Sequence, residues 1–359
     1  MKIKSLVLSI TCAVIFSGCH QNTKNNYAIR DFSKTLQPYL TKVVSQGIVG
    51  FDPATKFIEK HTTDKELEQL SKSEHPVLRA VAFREMLERP SFNHFDLMMN
   101  NLDDTAIVAT DAGEWGLWYF RVSDDMLMNG RWRDSATRGR TIEEIILKHN
   151  FLTCAYLRAG WVETNEKFYP AIKEMVQRER GQFDTYEQKS KAVYALAAFK
   201  KKEDIPLIKE ILQQNIWHGD ETTFDLMADF PNDTYLEILE DFYPKRFYRS
   251  LCKEGFRNPD IAVYFIQSIA TYKNERSEKI LDSILNRKPF VPCSTDTGYL
   301  KIQLARAIWN NPCPAYAKLR KQVESRIAQL DDPKHVIPLP NEKPFESPKD
   351  TTNEPVRWH

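Results

Sequence analysis

Between His75 and Asp104 apolar residues recur at spacings of three and four in two runs, the period of one helix face. Leu78, Val81, Ala82 and Met86 form the first stripe, and Phe95, Met98, Met99 and Leu102 the second. Pro76 suits the first turn of a helix, where its missing N–H costs nothing. Pro90 disfavours helical geometry at Arg89, so the stretch is predicted to be two short helices joined by a tight turn at Arg89-Pro90-Ser91 and closed at Asp103-Asp104. The same spacing assigns Arg79, Arg84 and Glu85 to the wet face.

The pattern returns downstream. Pro259-Asp260-Ile261 with Phe265, Ile266 and Ile269 repeats the first helix, and Ile280, Leu281, Ile284 and Leu285 repeat the second. Residues 186–199 with 203–214, and 298–309 with 314–330, do the same. Met86, Leu196, Ile269 and Ile308 fall at equivalent positions 110, 73 and 39 residues apart, close to three, two and one times a unit of about 37 residues. A period in that range, with two helices per unit, predicts an α-solenoid, in which each pair buries its apolar face against the next. Degenerate units fill the gaps at 103–140, 141–180 and 220–250, and the first of these fits poorly.

Pro76-Val77-Leu78-Arg79 followed by Val81-Ala82 resembles the first helix of a HEAT repeat, and Asp103 after Leu102 matches the aspartate that commonly closes the second. The motif's basic residue recurs as Lys189 and Lys301 and is Ala262 in the third copy. The resemblance implies an all-α fold, an α-α superhelix of stacked antiparallel helix pairs over residues 27–330, and a role in binding rather than catalysis. Residues 27–60 are expected to be short helical segments, broken at Gly47 and Gly50, that cap the first unit. Residues 331–359 hold six prolines and little periodicity, the composition of a Pro-rich disordered tail.

The N-terminus carries Lys2 and Lys4, an apolar run from Leu6 to Phe16, then Ser17-Gly18-Cys19. This is a secretory signal over residues 1–18, shorter than the roughly 20 residues of a permanent span. Phe16-Ser17-Gly18-Cys19 resembles the lipobox of bacterial lipoproteins, with Phe16 where leucine is usual. That resemblance implies cleavage before Cys19, a diacylglycerol on its sulfur, and a membrane-bound protein of the bacterial cell envelope. Residues 20–26 form a polar tether without the acidic cluster that favours surface display, so the protein is expected to face the periplasm. Cys154, Cys252, Cys293 and Cys313 then sit where disulfides can form. Four cysteines allow three pairings, and buried thiols acting as small hydrophobes remain the other reading.

Composition bounds the chemistry. A net charge of +1 over 359 residues argues against a nucleic-acid partner, and 12 glycines are few for a phosphate-loop enzyme. No Gly-rich phosphate cradle, nucleophile elbow or Cys-x-x-Cys occurs. His218-Gly219-Asp220-Glu221 is the one local cluster of metal-ligand types and lacks a second histidine. No metal, cofactor or catalytic residue is therefore assigned. The alternative class is an all-α envelope enzyme acting on a polysaccharide or peptidoglycan fragment, whose paired carboxylates would hide among 49 acids.

Two segments carry candidate recognition chemistry. Residues 103–140 break the period and bring together Trp115, Trp118, Tyr119, Arg131, Trp132 and Arg133, the residue types that anchor interfaces. They are expected either to contact a protein partner or to fill an over-long repeat. Further on, eight acids and no Lys or Arg run from Asp220 to Asp241, followed by Lys245, Arg246, Arg249, Lys253 and Arg257. These blocks would steer a charged partner or neutralise each other across neighbouring helices.

Overall fold

In the computed structural model the described residues are 27–50, 52–111, 113, 116–129, 135–162, 164–179, 186–216, 221–247, 259–287 and 297–327. The signal segment, the tether with Cys19 and the C-terminal tail lie outside them, as do Trp115, Arg131, Trp132 and Arg133. Of the described residues 73% are helical, most of them in 17 α-helices.

The chain opens with α1 (Gln37–Gln46), strand β1 (Ile48–Val49), α2 (Pro53–His61) and α3 (Asp64–Leu70). Helix α1 stops where Gly47 takes φ +66° and donates its N–H to the Val43 carbonyl at 3.0 Å, a left-handed cap that glycine adopts without strain. Thr63 starts α3 in a reciprocal capping box with Glu66. The predicted pair follows as α4 (Pro76–Glu88) and α5 (His94–Met99), with Asn93 capping the second.

Next come β2 (Ile107–Asp111), β3 (Leu117–Arg121), α6 (Val122–Asn129), α7 (Ser135–Lys148), α8 (Thr153–Arg158), α9 (Tyr169–Gln177), α10 (Tyr186–Ala198) and α11 (Ile205–Asn215). The chain continues with α12 (Glu221–Asp229), α13 (Asp233–Phe242), a π-helical turn at Tyr243–Phe247, α14 (Pro259–Ala270), α15 (Glu275–Asn286), α16 (Thr297–Asn310) and α17 (Ala317–Ile327). The pairs α10–α11, α14–α15 and α16–α17 occupy the stretches where the period places them. In 141–180 the expected first helix is divided between α7 and α8 around Asn150, whose side chain donates to Glu174 at 3.0 Å.

The helices sort into two layers. Each even-numbered helix from α4 to α16 packs on the next even-numbered one. Between them they carry much of the apolar core, including Phe83, Leu127, Leu196, Met227, Phe265 and Ile308. The odd-numbered helices lie outside: α5 touches α7, α7 touches α9, and α11 touches α13.

Three expectations need correction. A small three-stranded sheet, order β1-β2-β3, interrupts a chain whose pattern was helical throughout. Strand β1 runs parallel to β2, pairing Ile48 with Ala109, and β2 pairs antiparallel with β3. Arg79, Arg84 and Glu85 do not line a wet face: their side chains are 15%, 16% and 18% exposed, because the N-terminal cap and the sheet cover that side of α4. The closing aspartate that works is Asp104, which takes two hydrogen bonds from Arg79 at 2.7 and 2.9 Å, while Asp103 is 91% exposed.

Candidate functional site

The helical spacing fails at residues 103–140 because the chain there makes a hairpin before helix resumes at α6. Ile107-Val108-Ala109-Thr110 and Leu117-Trp118-Tyr119-Phe120 are runs of strand-favouring residues. The turn between them contains Gly113 at φ +66° and Gly116 at φ +84°, which side chains with a Cβ rarely adopt. The Gly113 N–H donates to Asp111 Oδ1 at 2.8 Å, and the Gly116 N–H to the Gly113 carbonyl at 3.1 Å. At the root, Val122 N–H donates to the Ala106 carbonyl and Ser123 N–H to that of Asp104, at 2.8 and 3.1 Å.

Side chains alternate across the sheet, so the register divides them. Val49, Val108, Thr110, Trp118 and Phe120 share the face turned toward α4; Val49 and Val108 are buried there. Ile48, Ile107, Ala109, Leu117 and Tyr119 share the other, with Asp111 and Arg121 at its two ends. That outward face is open: Ile107, Leu117 and Tyr119 are 36%, 45% and 53% exposed. Trp118 projects from the strand end on the α4 side, 43% exposed and edge-on to Phe120 at a ring separation of 6.0 Å. Strand β3 has β2 on one side and no strand on the other among the described residues.

The hairpin is fixed from below by two buried acids on α6. Asp125 accepts from Arg84 Nε at 2.9 Å, again from Arg84 Nη2, and from Thr110 Oγ1 at 3.1 Å, joining β2, α4 and α6. Asp124 accepts the Cys154 N–H at the start of α8 at 2.8 Å and Arg121 Nη1 at 3.3 Å. Burial pushes the Asp124 carboxyl above its ordinary value against the pull of those donors. Two neighbouring residues thus hold the hairpin to three helices, leaving a rigid mount with an apolar outer face.

Of the expected partner contacts, Trp118 and Tyr119 lie on β3, on opposite faces. Trp115, Arg131, Trp132 and Arg133 fall outside the described residues. Sequence reasoning missed Ile48, Ile107 and Leu117. The signal was present as alternation of strand formers on either side of a glycine-bearing turn, but it was read as a cluster of aromatics. Another exposed ring, Trp161 at 52%, lies under the Arg158 guanidinium at 3.8 Å.

The remaining candidates resolve into structure. Glu237 pairs with Lys209 of α11 at 2.6 Å and Glu240 with Arg276 of α15, and Lys245 pairs with Asp241 one turn back. Three acids of the charge reversal are therefore paired, Asp241 within its own helix and Glu237 and Glu240 with neighbouring ones. The two carboxylates that come nearest to an acid–base pair are Glu59 and Glu85. Burial, then the Glu85 charge, raises Glu59 above the usual range. Glu85 is committed to Arg89, whose Nε donates to it at 2.8 Å while Nη1 reaches Asp64, so the group locks α2, α3 and α4 together. Cys154 and Cys313 are free thiols; Cys252 and Cys293 lie outside the described residues. Among the described residues no three His, Cys, Asp or Glu side chains gather as a metal ion requires, and no helix is long and apolar enough to cross a membrane. In comparisons with known proteins, no family model matches the chain, and neither a curated protein nor a solved structure is similar to it.

Proposed function

We propose that this chain is a lipid-anchored, HEAT-like α-solenoid of a bacterial cell envelope, facing the periplasm, that serves as a scaffold for binding a protein or ligand. The observation carrying the repeat reading is a ladder of side-chain ties close to one period apart. Glu166 meets Lys201, Tyr169 meets Asp204 and Tyr194 meets Asp229, each 35 residues on. Glu240 meets Arg276 and Asn286 meets Gln322 at 36 residues, and Ser277 meets Tyr316 at 39. A stack in which each unit grips the next has this signature, and the even-numbered helix layer supports it. Stacks of this kind expose long continuous flanks, surfaces suited to holding a partner chain. The anchor rests on the Ser17-Gly18-Cys19 cut site.

Radiolabelled palmitate and affinity capture from the native envelope test this together. Label on the wild-type chain and none on Cys19→Ala, with a protein enriched only by the anchored form, is the expected result. Cleavage of peptidoglycan or polysaccharide fragments by the purified chain would replace the scaffold with the enzyme reading.

A further inference from the structure

The first described residue, Tyr27, does not enter the fold at an arbitrary place. It forms a parallel bridge to Ser73. Arg79 then donates to the Ser73 and Glu74 carbonyls at 2.9 and 3.3 Å and to the Asp104 carboxylate at 2.7 and 2.9 Å. Asp104 lies three residues before β2, and its carbonyl takes the Ser123 N–H that closes the hairpin. One arginine therefore links the point where the tether joins the fold to the root of the hairpin.

Seven residues separate Cys19 from Tyr27, and the eight Cα-to-Cα steps between them, fully extended, span at most about 28 Å. Each hairpin strand has five residues, or about 17 Å. A lipid at Cys19 consequently keeps the bilayer surface within the hairpin's reach. The centre of the outward face offers Ile48, Ile107, Leu117 and the Tyr119 ring, bordered by Asp111 at one end and by Arg121, which donates to Asp124, at the other. A Tyr ring among aliphatic side chains, with polar groups at the rim, is a composition that settles at the headgroup–acyl boundary. The open edge of β3 limits the depth. Backbone groups on that edge, which meet no strand among the described residues, can be hydrated among headgroups and cannot be satisfied in the acyl core.

We infer that the outward face of the β2–β3 hairpin is a second membrane contact, seated in the interface of the bilayer that holds the Cys19 lipid. The inference rests on the lipid-anchor reading above and goes beyond it. The solenoid is held at two points instead of swinging on its tether, and its helical flanks are left free for the partner.

The test uses the full lipidated chain in vesicles of phosphatidylethanolamine and phosphatidylglycerol doped with a lipid carrying a photoreactive acyl tail. Palmitate incorporation is followed in parallel. Expected is lipid adduct on the peptide ending at Arg121, lost to the level of α14 peptides in L117S/Y119S, with palmitate and the helical circular dichroism signal unchanged. Acylated Cys19 without adduct on that peptide overturns the inference and spares the anchor. Absence of palmitate overturns the anchor reading and the inference with it. A photoreactive residue replacing Tyr119 that crosslinks in native envelopes to another protein, or to a second copy, rather than to lipid also overturns it, making the face a protein dock.

Discussion

Removing the Asp125 carboxylate tests whether the hairpin is as firmly mounted as its contacts indicate. Asp125 is 1% exposed and Arg84 is 16% exposed at the side chain, so Asp125→Ala strands a guanidinium that has little access to water. Breaking a buried pair from one side costs about 3–5 kcal/mol. The residual exposure of Arg84 and its contact with Thr110 Oγ1 at 3.4 Å place this variant near the lower end, about 3 kcal/mol. The loss should be local, because the Asp125 contacts join only β2, α4 and α6, and regions far from them open separately. Hydrogen exchange read by mass spectrometry is the suitable assay. Peptides from β2, α4 and α6 should exchange roughly a hundredfold faster, the factor equivalent to about 3 kcal/mol, while α14–α17 stay unchanged. The companion variant R84M/D125L removes both charges and should recover to within about 1 kcal/mol of wild type. A loss below about 1 kcal/mol in Asp125→Ala, or a double variant no better than the single, would refute the claim that the stranded charge is the cause.

Three further outcomes follow from buried groups elsewhere. Tyr316 is fully buried, with its hydroxyl 2.6 Å from Ser277 Oγ and 3.2 Å from the Ala270 carbonyl; Tyr316→Phe should cost about 1 kcal/mol in thermal or urea unfolding, and no change would deny the tie between the last two units. Burial pushes the Cys154 thiol up to about 12, so iodoacetamide at mildly alkaline pH should alkylate Cys313 and spare Cys154 until denaturant is added; early labelling of Cys154 would contradict its burial. Burial also raises Tyr235 and Tyr316 to about 12, and raises Tyr194 and Tyr272 further. The unfolded chain ionises its tyrosines near pH 10 while the folded one holds these protons, so stability must fall as pH rises past that point. Lys173 acts in the same direction: its hydrogen bond to Asp204 raises it, and the stability it adds is full below the ordinary lysine value and lost above it. Tyrosinate absorbance and circular dichroism should therefore change together in the alkaline limb, and four tyrosines titrating without unfolding would oppose the reading.

Most of the helical scaffold was legible because apolar spacing is a local property. Met86, Leu196, Ile269 and Ile308 were aligned from the sequence, and the last three prove to be among the most deeply buried residues of their helices. Helix α4 shows where local reasoning stops. Val77, Ala80 and Phe83 are buried beside the predicted stripe, and its arginines are enclosed by elements tens of residues away. An amphipathic pattern describes how a helix would meet one neighbour, and α4 meets α1, α2, α3, α5, α6 and two strands.

The hairpin was hidden for a related reason. Strand β1 is two residues long, too short to show alternation, and its partner lies about sixty positions onward. Only the failure of the helical period pointed to the place. That one departure has two consequences that share a cause. Inserting a hairpin between α5 and α6 brings Thr110 and Asp125 over the polar side of α4, which turns Arg84 from a surface charge into a buried one. The same insertion must leave a sheet with one face inward and one outward, and the outward face here has Ile48, Ile107, Leu117 and Tyr119 at its centre and Asp111 and Arg121 at its ends. A polar outer face would have sufficed to shield Arg84. The packing of α4 does not account for the apolar centre of that face, where Ile107, Leu117 and Tyr119 stand exposed.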